Sequence, residues 1–106
     1  MLIEICNIND LLNNKGKKFL VEDTEIAIFL VNGNVFALSN ICPHQHSSII
    51  HDGFIEDEFV VCPAHGWRFR LCDGKKENGY NGLKSFKTIV ENDKVFIEFQ
   101  KNEFNW

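Results

Sequence analysis

Apolar and polar residues alternate from Leu2 to Cys6, and two apolar runs, Ile26 to Val31 and Val35 to Leu38, flank Asn32-Gly33-Asn34. Alternation at period two predicts a strand, and Asn-Gly between two apolar runs is the strongest short hairpin signal in the chain. Two further pairs follow the same logic. Phe54-Ile55 and Phe59 to Val61 face each other across Glu56-Asp57, and Ser85 to Val90 and Val95 to Phe99 flank Asn92-Asp93 as a closing hairpin. Helical signal is confined to Asn9-Asp10, which would cap one short turn through Leu11-Leu12 before Lys15-Gly16-Lys17 stops it. Asp73 to Leu83 holds three glycines and no aliphatic residue before Leu83, so it reads as a loop. The expectation is an all-β, antiparallel domain.

Composition narrows the class. At 106 residues, 44% hydrophobic and with 10 Phe, the chain can bury one core but has no room for a second catalytic domain. The phenylalanines are expected mostly in that core. A net charge of −4 argues against nucleic acid as a partner and suits docking on a basic protein surface. Lys15, Lys17 and Lys18 form the one basic cluster near the N-terminus and read as a solvated loop. The first residues carry no basic n-region, and Ile26 to Val31 is far too short to cross a membrane, so a cytoplasmic protein is expected.

The chemistry lies between Cys42 and Cys72. Cys42 and His44 form a CxH loop, Cys62 and His65 form a CxxH loop, and 17 residues separate the two. Each short loop offers one thiolate and one imidazole, and the pair around Glu56-Asp57 could fold them together. Pro43 and Pro63, the only prolines, follow the two cysteines and restrict each loop before anything binds. Gly66 gives the second loop backbone freedom beside the site. In a cytoplasmic chain Cys6 and Cys72 read as spare thiols packed as small apolar side chains, with no disulfide framework. His46 and His51 read as solvated loop histidines, although His46 is near enough to compete with His44. Trp67 and Phe69 read as packing that keeps water off the site.

Three metals could use such donors. Zinc accepts two thiolates and two imidazoles, but its usual framework pairs like with like, CxxC in one knuckle and two histidines on a helix. Blue copper needs a weak axial ligand, and Met1, the only methionine, lies outside the stretch. A [2Fe-2S] centre with two Cys on one iron and two His on the other suits two mixed loops.

In its CxH and CxxH loops, in Gly66 to Leu71 with Asp73-Gly74 behind, and more loosely from Gly82 to Phe99, the chain resembles the Rieske family. The resemblance implies a Rieske-type antiparallel β-sandwich over residues 1–106, with a small cluster-binding subdomain of two ligand loops at about 40–74. It implies one [2Fe-2S] cluster, with Cys42 and Cys62 on one iron and His44 and His65 on the other through Nδ1. Rieske proteins of the cytochrome complexes add a cysteine to each loop and join the two as a disulfide. Here His46 or Ser47 and Ala64 stand at those positions, so the chain is similar to the small ferredoxin type. Trp67 and Phe69 replace the serine and tyrosine that donate to cluster sulfurs, which implies a low potential for the class. Family members often cover the cluster with a proline-containing loop. This chain has Asn78 to Gly82 there, with Tyr80 as the side chain able to pack over the site.

Function follows as an expectation. The chain would carry single electrons from a flavin-dependent reductase to a terminal oxygenase. The alternative is the small subunit of an NADH-dependent nitrite reductase, working with its large subunit, and the remote alternative a structural zinc-binding module. It is not expected to be an enzyme itself. Family oxygenases need a further iron held by two His and a carboxylate, and only His46 and His51 are left for it.

Overall fold

In the strand Thr24–Val31, all four residues from Ile26 to Phe29 are buried, and this burial on both faces sets the architecture. Because side chains point to opposite faces in turn, Ile26 and Ile28 enter one hydrophobic cluster while Ala27 and Phe29 enter another. The computed structural model describes residues 2–41, 47–64, 66–76 and 82–99.

In chain order the strands are β1 (Leu2–Asn7), β2 (Lys15–Val21), β3 (Thr24–Val31), β4 (Asn34–Ser39), β5 (Phe54–Glu56), β6 (Phe59–Val61), β7 (Arg68–Arg70), β8 (Ser85–Phe86), β9 (Thr88–Glu91) and β10 (Lys94–Glu98). They form a central sheet β2-β3-β4-β8 and two three-stranded sheets, β1-β10-β9 and β5-β6-β7, in which every pairing is antiparallel. The first cluster packs Ile26, Ile28, Val35 and Ala37 of the central sheet against Val95 and Ile97 of β10 and the half-buried Ile3 and Ile5 of β1. The second packs Ala27, Phe29 and Leu38 against Ile50, Val60, Cys62 and Phe69. The central sheet is therefore covered on both sides, and the covering of its second face carries the CxxH loop.

Three hairpins turn through two residues with positive φ, at Glu22-Asp23, Asn32-Gly33 and Asn92-Asp93. Such turns match the twist of the flanking strands, and Asn, Asp and Gly tolerate the conformation. The hairpins expected at Asn32-Gly33 and Asn92-Asp93 are present. The pair β5-β6 is also present, with its turn at Asp57-Glu58, one residue beyond the position expected.

Several local expectations are corrected. Lys15-Gly16-Lys17 does not stop a helix but opens β2, an edge strand whose exposed lysines discourage pairing with another chain. The helical turn lies earlier, at Ile8–Asp10, where Asn7 accepts from the Asn9 amide and Asp10 accepts from the Asn7 amide. Ser85 to Val90 is two strands. The chain leaves the central sheet after Phe86 and joins β10 at Thr88, whose hydroxyl donates to the Val35 carbonyl at 2.7 Å and ties the sheets together. The phenylalanines are less uniformly core than expected: Phe29, Phe69, Phe86 and Phe99 are buried, whereas Phe54 is largely exposed.

Gly16 of β2 lies close against Phe29 and the turn Ile50–Asp52. A Cβ there would stand 2.5 Å from Cε1 of Phe29 and 2.6 Å from the His51 carbonyl oxygen. Gly16→Ala should therefore destabilise the protein by about 1–3 kcal/mol, as overpacking does. Chemical denaturation measures it, and an unchanged midpoint would contradict the close approach.

Candidate metal centre

The second ligand loop grows directly out of β6. Val60 and Val61 are buried, and Cys62 beyond them is 1% exposed within the second cluster. The Cys62 amide donates to the Trp67 carbonyl at 2.8 Å, and the Gly66 amide donates to the Cys62 carbonyl at 2.9 Å, closing the loop on itself. Gly66 has φ +72, a conformation in which a side chain would be strained although space is open around it. Pro63 and Ala64 are exposed, so the chain passes from core to surface within two residues of Cys62.

The sheet behind this loop is braced by aromatic and cationic side chains. Arg68 on β7 lies 3.0 Å from Glu56 on β5 and 4.7 Å from the ring centre of Phe59 on β6, so one guanidinium spans all three strands. Phe69 is fully buried, and its ring centre is 6.4 Å from that of the half-buried Trp67. Lys76 places its ammonium 3.4 Å from the Trp67 ring centre. Trp67 and Phe69 thus serve as packing, as the sequence led us to expect.

The first ligand loop is held at both ends. Ile41 and Ser48 form an antiparallel bridge across its base, and Leu38, four residues before Cys42, shares a cluster with Cys62. The two loops therefore start from one core. Asn40, the one buried polar residue among the described residues, organises the base. Its Oδ1 accepts from the His51 amide at 2.7 Å and from His51 Nδ1 at 3.1 Å, which turns its Nδ2 toward Glu25 Oε1 at 3.2 Å. The other Glu25 oxygen accepts from the Ser48 hydroxyl at 3.0 Å. Donation from Asn40 and then Ser48 holds the Glu25 carboxyl below its ordinary value.

This network was not anticipated, and it corrects one expectation. His51 is a partly buried hydrogen-bonding member of the loop base, not a solvated loop histidine. The one signal in the sequence was an amide side chain at the end of an apolar strand, just before a ligand cysteine. Cys72 is also corrected: it is an exposed thiol, because its neighbour Leu71 takes the core position in that turn, while Cys6 is half-buried and burial raises its thiol pKa. Cys42, His44, His46, His65 and Tyr80 lie outside the described residues. Of the four candidate ligands, the structure places Cys62.

The donor set suits an iron-sulfur centre at this position. Cys62 is a buried sulfur donor on a loop closed by its own backbone, in an apolar cluster shared with Leu38 and Ile50 from either side of the other cysteine-histidine stretch. Residues 2–98 match the model of the Rieske-like [2Fe-2S] domain. The chain belongs to this family.

Among its relatives, the ferredoxin component of the naphthalene 1,2-dioxygenase system of Pseudomonas putida is 32% identical over 91% of this chain and 93% of its own length. The small subunit of the NADH nitrite reductase of Escherichia coli is 39% identical over 67% of this chain and 71% of its own length. The ferredoxin of carbazole 1,9a-dioxygenase from Nocardioides aromaticivorans superposes with a TM-score of 0.82 over 92% of this chain and 96% of its own, at 19% identity. The last likeness shows a shared fold, the antiparallel β architecture of Rieske ferredoxins.

Behind the second loop of this Rieske domain, the turn from Arg70 to Lys75 is closed by Asp73. Its carboxylate accepts from Arg70 Nη2 at 2.9 Å and from the Lys75 amide at 3.0 Å, and these bonds hold it below its ordinary value of 3.8. The stabilisation is fully present above that ordinary value and is lost as pH falls through the lower folded value. Asp73→Asn keeps an oxygen for the Lys75 amide but removes the charge. It should melt below the native protein near neutral pH, with the two melting temperatures converging on acidification below 3.8. Since Asp73 and Arg70 are partly exposed, added salt should narrow the gap as well. A gap independent of pH would show that the charge is not what holds the turn.

Proposed function

We propose that the chain is a Rieske-type ferredoxin that carries single electrons from a flavin-dependent reductase to a terminal oxygenase. One [2Fe-2S] cluster would be held by Cys42 and Cys62 on one iron and by His44 and His65 on the other. When bound, the cluster supplies a reversible one-electron couple. The observation that supports this reading is that Cys62 shares one buried cluster with Leu38 and Ile50, which flank the stretch holding Cys42 and His44 in sequence, in a chain whose relatives include ferredoxin components. The protein's own part is to hold the ligands still, to keep water from the sulfur side with Cys62, Phe69 and Trp67, and to present the loop tips.

A second reading is the small subunit of a nitrite reductase, favoured by the 39% identity to the Escherichia coli small subunit. The cofactor and the electron-carrying role are the same in both readings. They differ in whether the partner is a separate oxygenase or a reductase large subunit. In neither does this chain break a substrate bond.

Purified under reducing, anaerobic conditions, the protein should be red-brown and hold about two irons and two acid-labile sulfides per chain. Cys42→Ser, Cys62→Ser, His44→Ala and His65→Ala should each lose most of the iron, whereas His46→Ala, Cys6→Ser and Cys72→Ser should retain it. A colourless protein with one zinc and no sulfide would replace the reading with a structural metal module. Normal iron in His44→Ala with its loss in His46→Ala would reassign that ligand.

Docking is proposed at the loop tips, because the exposed Pro63, Ala64 and Gly66 carry no charge there. The exposed Asp52, Glu56, Asp57 and Glu58 belong to β5 and its flanking turns and not to the loop, so they would steer a basic partner from outside the contact, Glu56 from its pair with Arg68. Ala64→Glu should slow electron transfer to the partner by at least about tenfold, since an unpaired charge would be buried in the contact, with the cluster spectrum unchanged. Native transfer rates in Ala64→Glu would remove the tip as the docking face.

A further inference from the structure

We propose that Asn40 is a positioning residue for the cluster, acting through the first ligand loop. The inference rests on the cluster reading above and adds a residue that the ligand motif does not contain. The loop from Ile41 to Ser48 carries two proposed ligands, and the Asn40 side chain ties together what flanks it. Oδ1 grips the backbone and ring of His51 after the loop, while Nδ2 grips Glu25, whose second oxygen holds Ser48 at the loop's end. The backbone follows the same pattern. The Asn40 amide donates to the Glu25 carbonyl at 2.9 Å, and the Asn40 carbonyl accepts from the Ile50 amide at 3.2 Å.

The donors and acceptors have one consistent assignment. Oδ1 must be an acceptor, because it faces the His51 amide, and Nδ2 then faces a carboxylate as donor. Asn40 is fully buried, so its own side-chain atoms have no water to turn to when a partner mismatches. Asparagine at position 40 fits because it both donates and accepts. Aspartate there would face the Glu25 carboxylate at the 3.2 Å now spanned by the hydrogen bond.

A pair of variants separates this role from simple stability. Asn40→Asp alone sets two carboxylates against each other. Combining it with Glu25→Gln restores every bond and reverses only the one between positions 25 and 40: Gln Nε2 donates to the new carboxylate, while Gln Oε1 still accepts from Ser48 and the His51 amide keeps its acceptor. Glu25→Gln alone stays near native, because its Oε1 accepts from Asn40 while its amide donates to the Ser48 oxygen. Val95→Ala, in the first cluster and remote from the loop, serves as the control for general destabilisation.

The measurements are the rate at which a chelator strips iron from the loaded protein, the electron paramagnetic resonance spectrum of the reduced cluster, and the exchange of the His51 amide in iron-free protein. Stripping should quicken about tenfold in Asn40→Asp, the range expected when support for a metal ligand is lost, with altered g-values and a faster-exchanging His51 amide. The double variant should return to within about twofold of native in stripping, with native spectrum and exchange. Val95→Ala should lower the unfolding midpoint and leave stripping near native. The proposal is overturned if Asn40→Asp strips and resonates like the native protein, if the double variant does no better than Asn40→Asp, or if Val95→Ala strips as fast as Asn40→Asp. A native protein that holds no iron fails differently, overturning the cluster reading together with the role that rests on it.

Discussion

The two-sided burial of β3 is the constraint on which the rest of the structure depends. A strand that sends Ile26 and Ile28 one way and Ala27 and Phe29 the other needs a covering layer on each face. One layer, β1-β10-β9, is an ordinary sheet-on-sheet contact. The other is built from short pieces, β5-β6-β7 and the turn at Ile50–Asp52, none long enough to be stable alone. Those pieces order themselves only by packing on Phe29, Ala27 and Leu38. Cys62 and the flanks of the other cysteine-histidine stretch are thus on the face of the central sheet that lacks a long covering strand, and they borrow their rigidity from the strand beneath.

The two ligand loops are anchored by different physics. The second loop is held from inside, because Cys62 is itself part of the hydrophobic cluster and its backbone bonds to Trp67 and Gly66. The first loop is held from its base by a polar network in which a buried amide is satisfied on both sides. Ordering a loop costs roughly 1–2 kcal/mol per residue in backbone entropy. Fixing both ends before a ligand binds removes much of the freedom that binding would otherwise have to restrict. Apolar packing is tolerant of small shifts, whereas the network around Asn40 has one assignment of donors and acceptors, so the base of the first loop is the more sharply specified of the two.

How far the sequence could be read depended on the range of the interactions concerned. The Asn32-Gly33 and Asn92-Asp93 turns and the ligand loops are local patterns, in which a few adjacent residues carry the whole signal. The strand β2 was hidden because Gly16 looks like a breaker until Phe29 and the His51 carbonyl are seen pressed against it. The break between β8 and β9 was hidden because Lys87 interrupts nothing in the apolar pattern, and the change of sheet is decided by partners on β4 and β10. The Asn40 network joins residues 11 and 15 apart, and no spacing rule connects them. Cys72 was misjudged for a related reason: which residue of a turn faces the core depends on what lies beneath it, and there it is Leu71.

An electron carrier needs a centre that changes little in shape when its charge changes, on a surface that partners can leave quickly. The apolar wall and the polar clamp meet the first requirement in complementary ways. With a cluster bound, the wall would keep water from reorganising around its sulfur side, and the clamp would limit how far the loop base shifts as charge comes and goes. The second requirement is met by where charge is absent. Beside the second loop Arg68 and Arg70 have carboxylate partners in Glu56 and Asp73, and the Lys76 ammonium rests on the Trp67 ring. The exposed Pro63-Ala64 corner beyond them has no charge to lock a partner in place. Contact at such a corner would be held by a small apolar area and guided by carboxylates at its margin, a combination that favours fast encounter and fast release over tight binding.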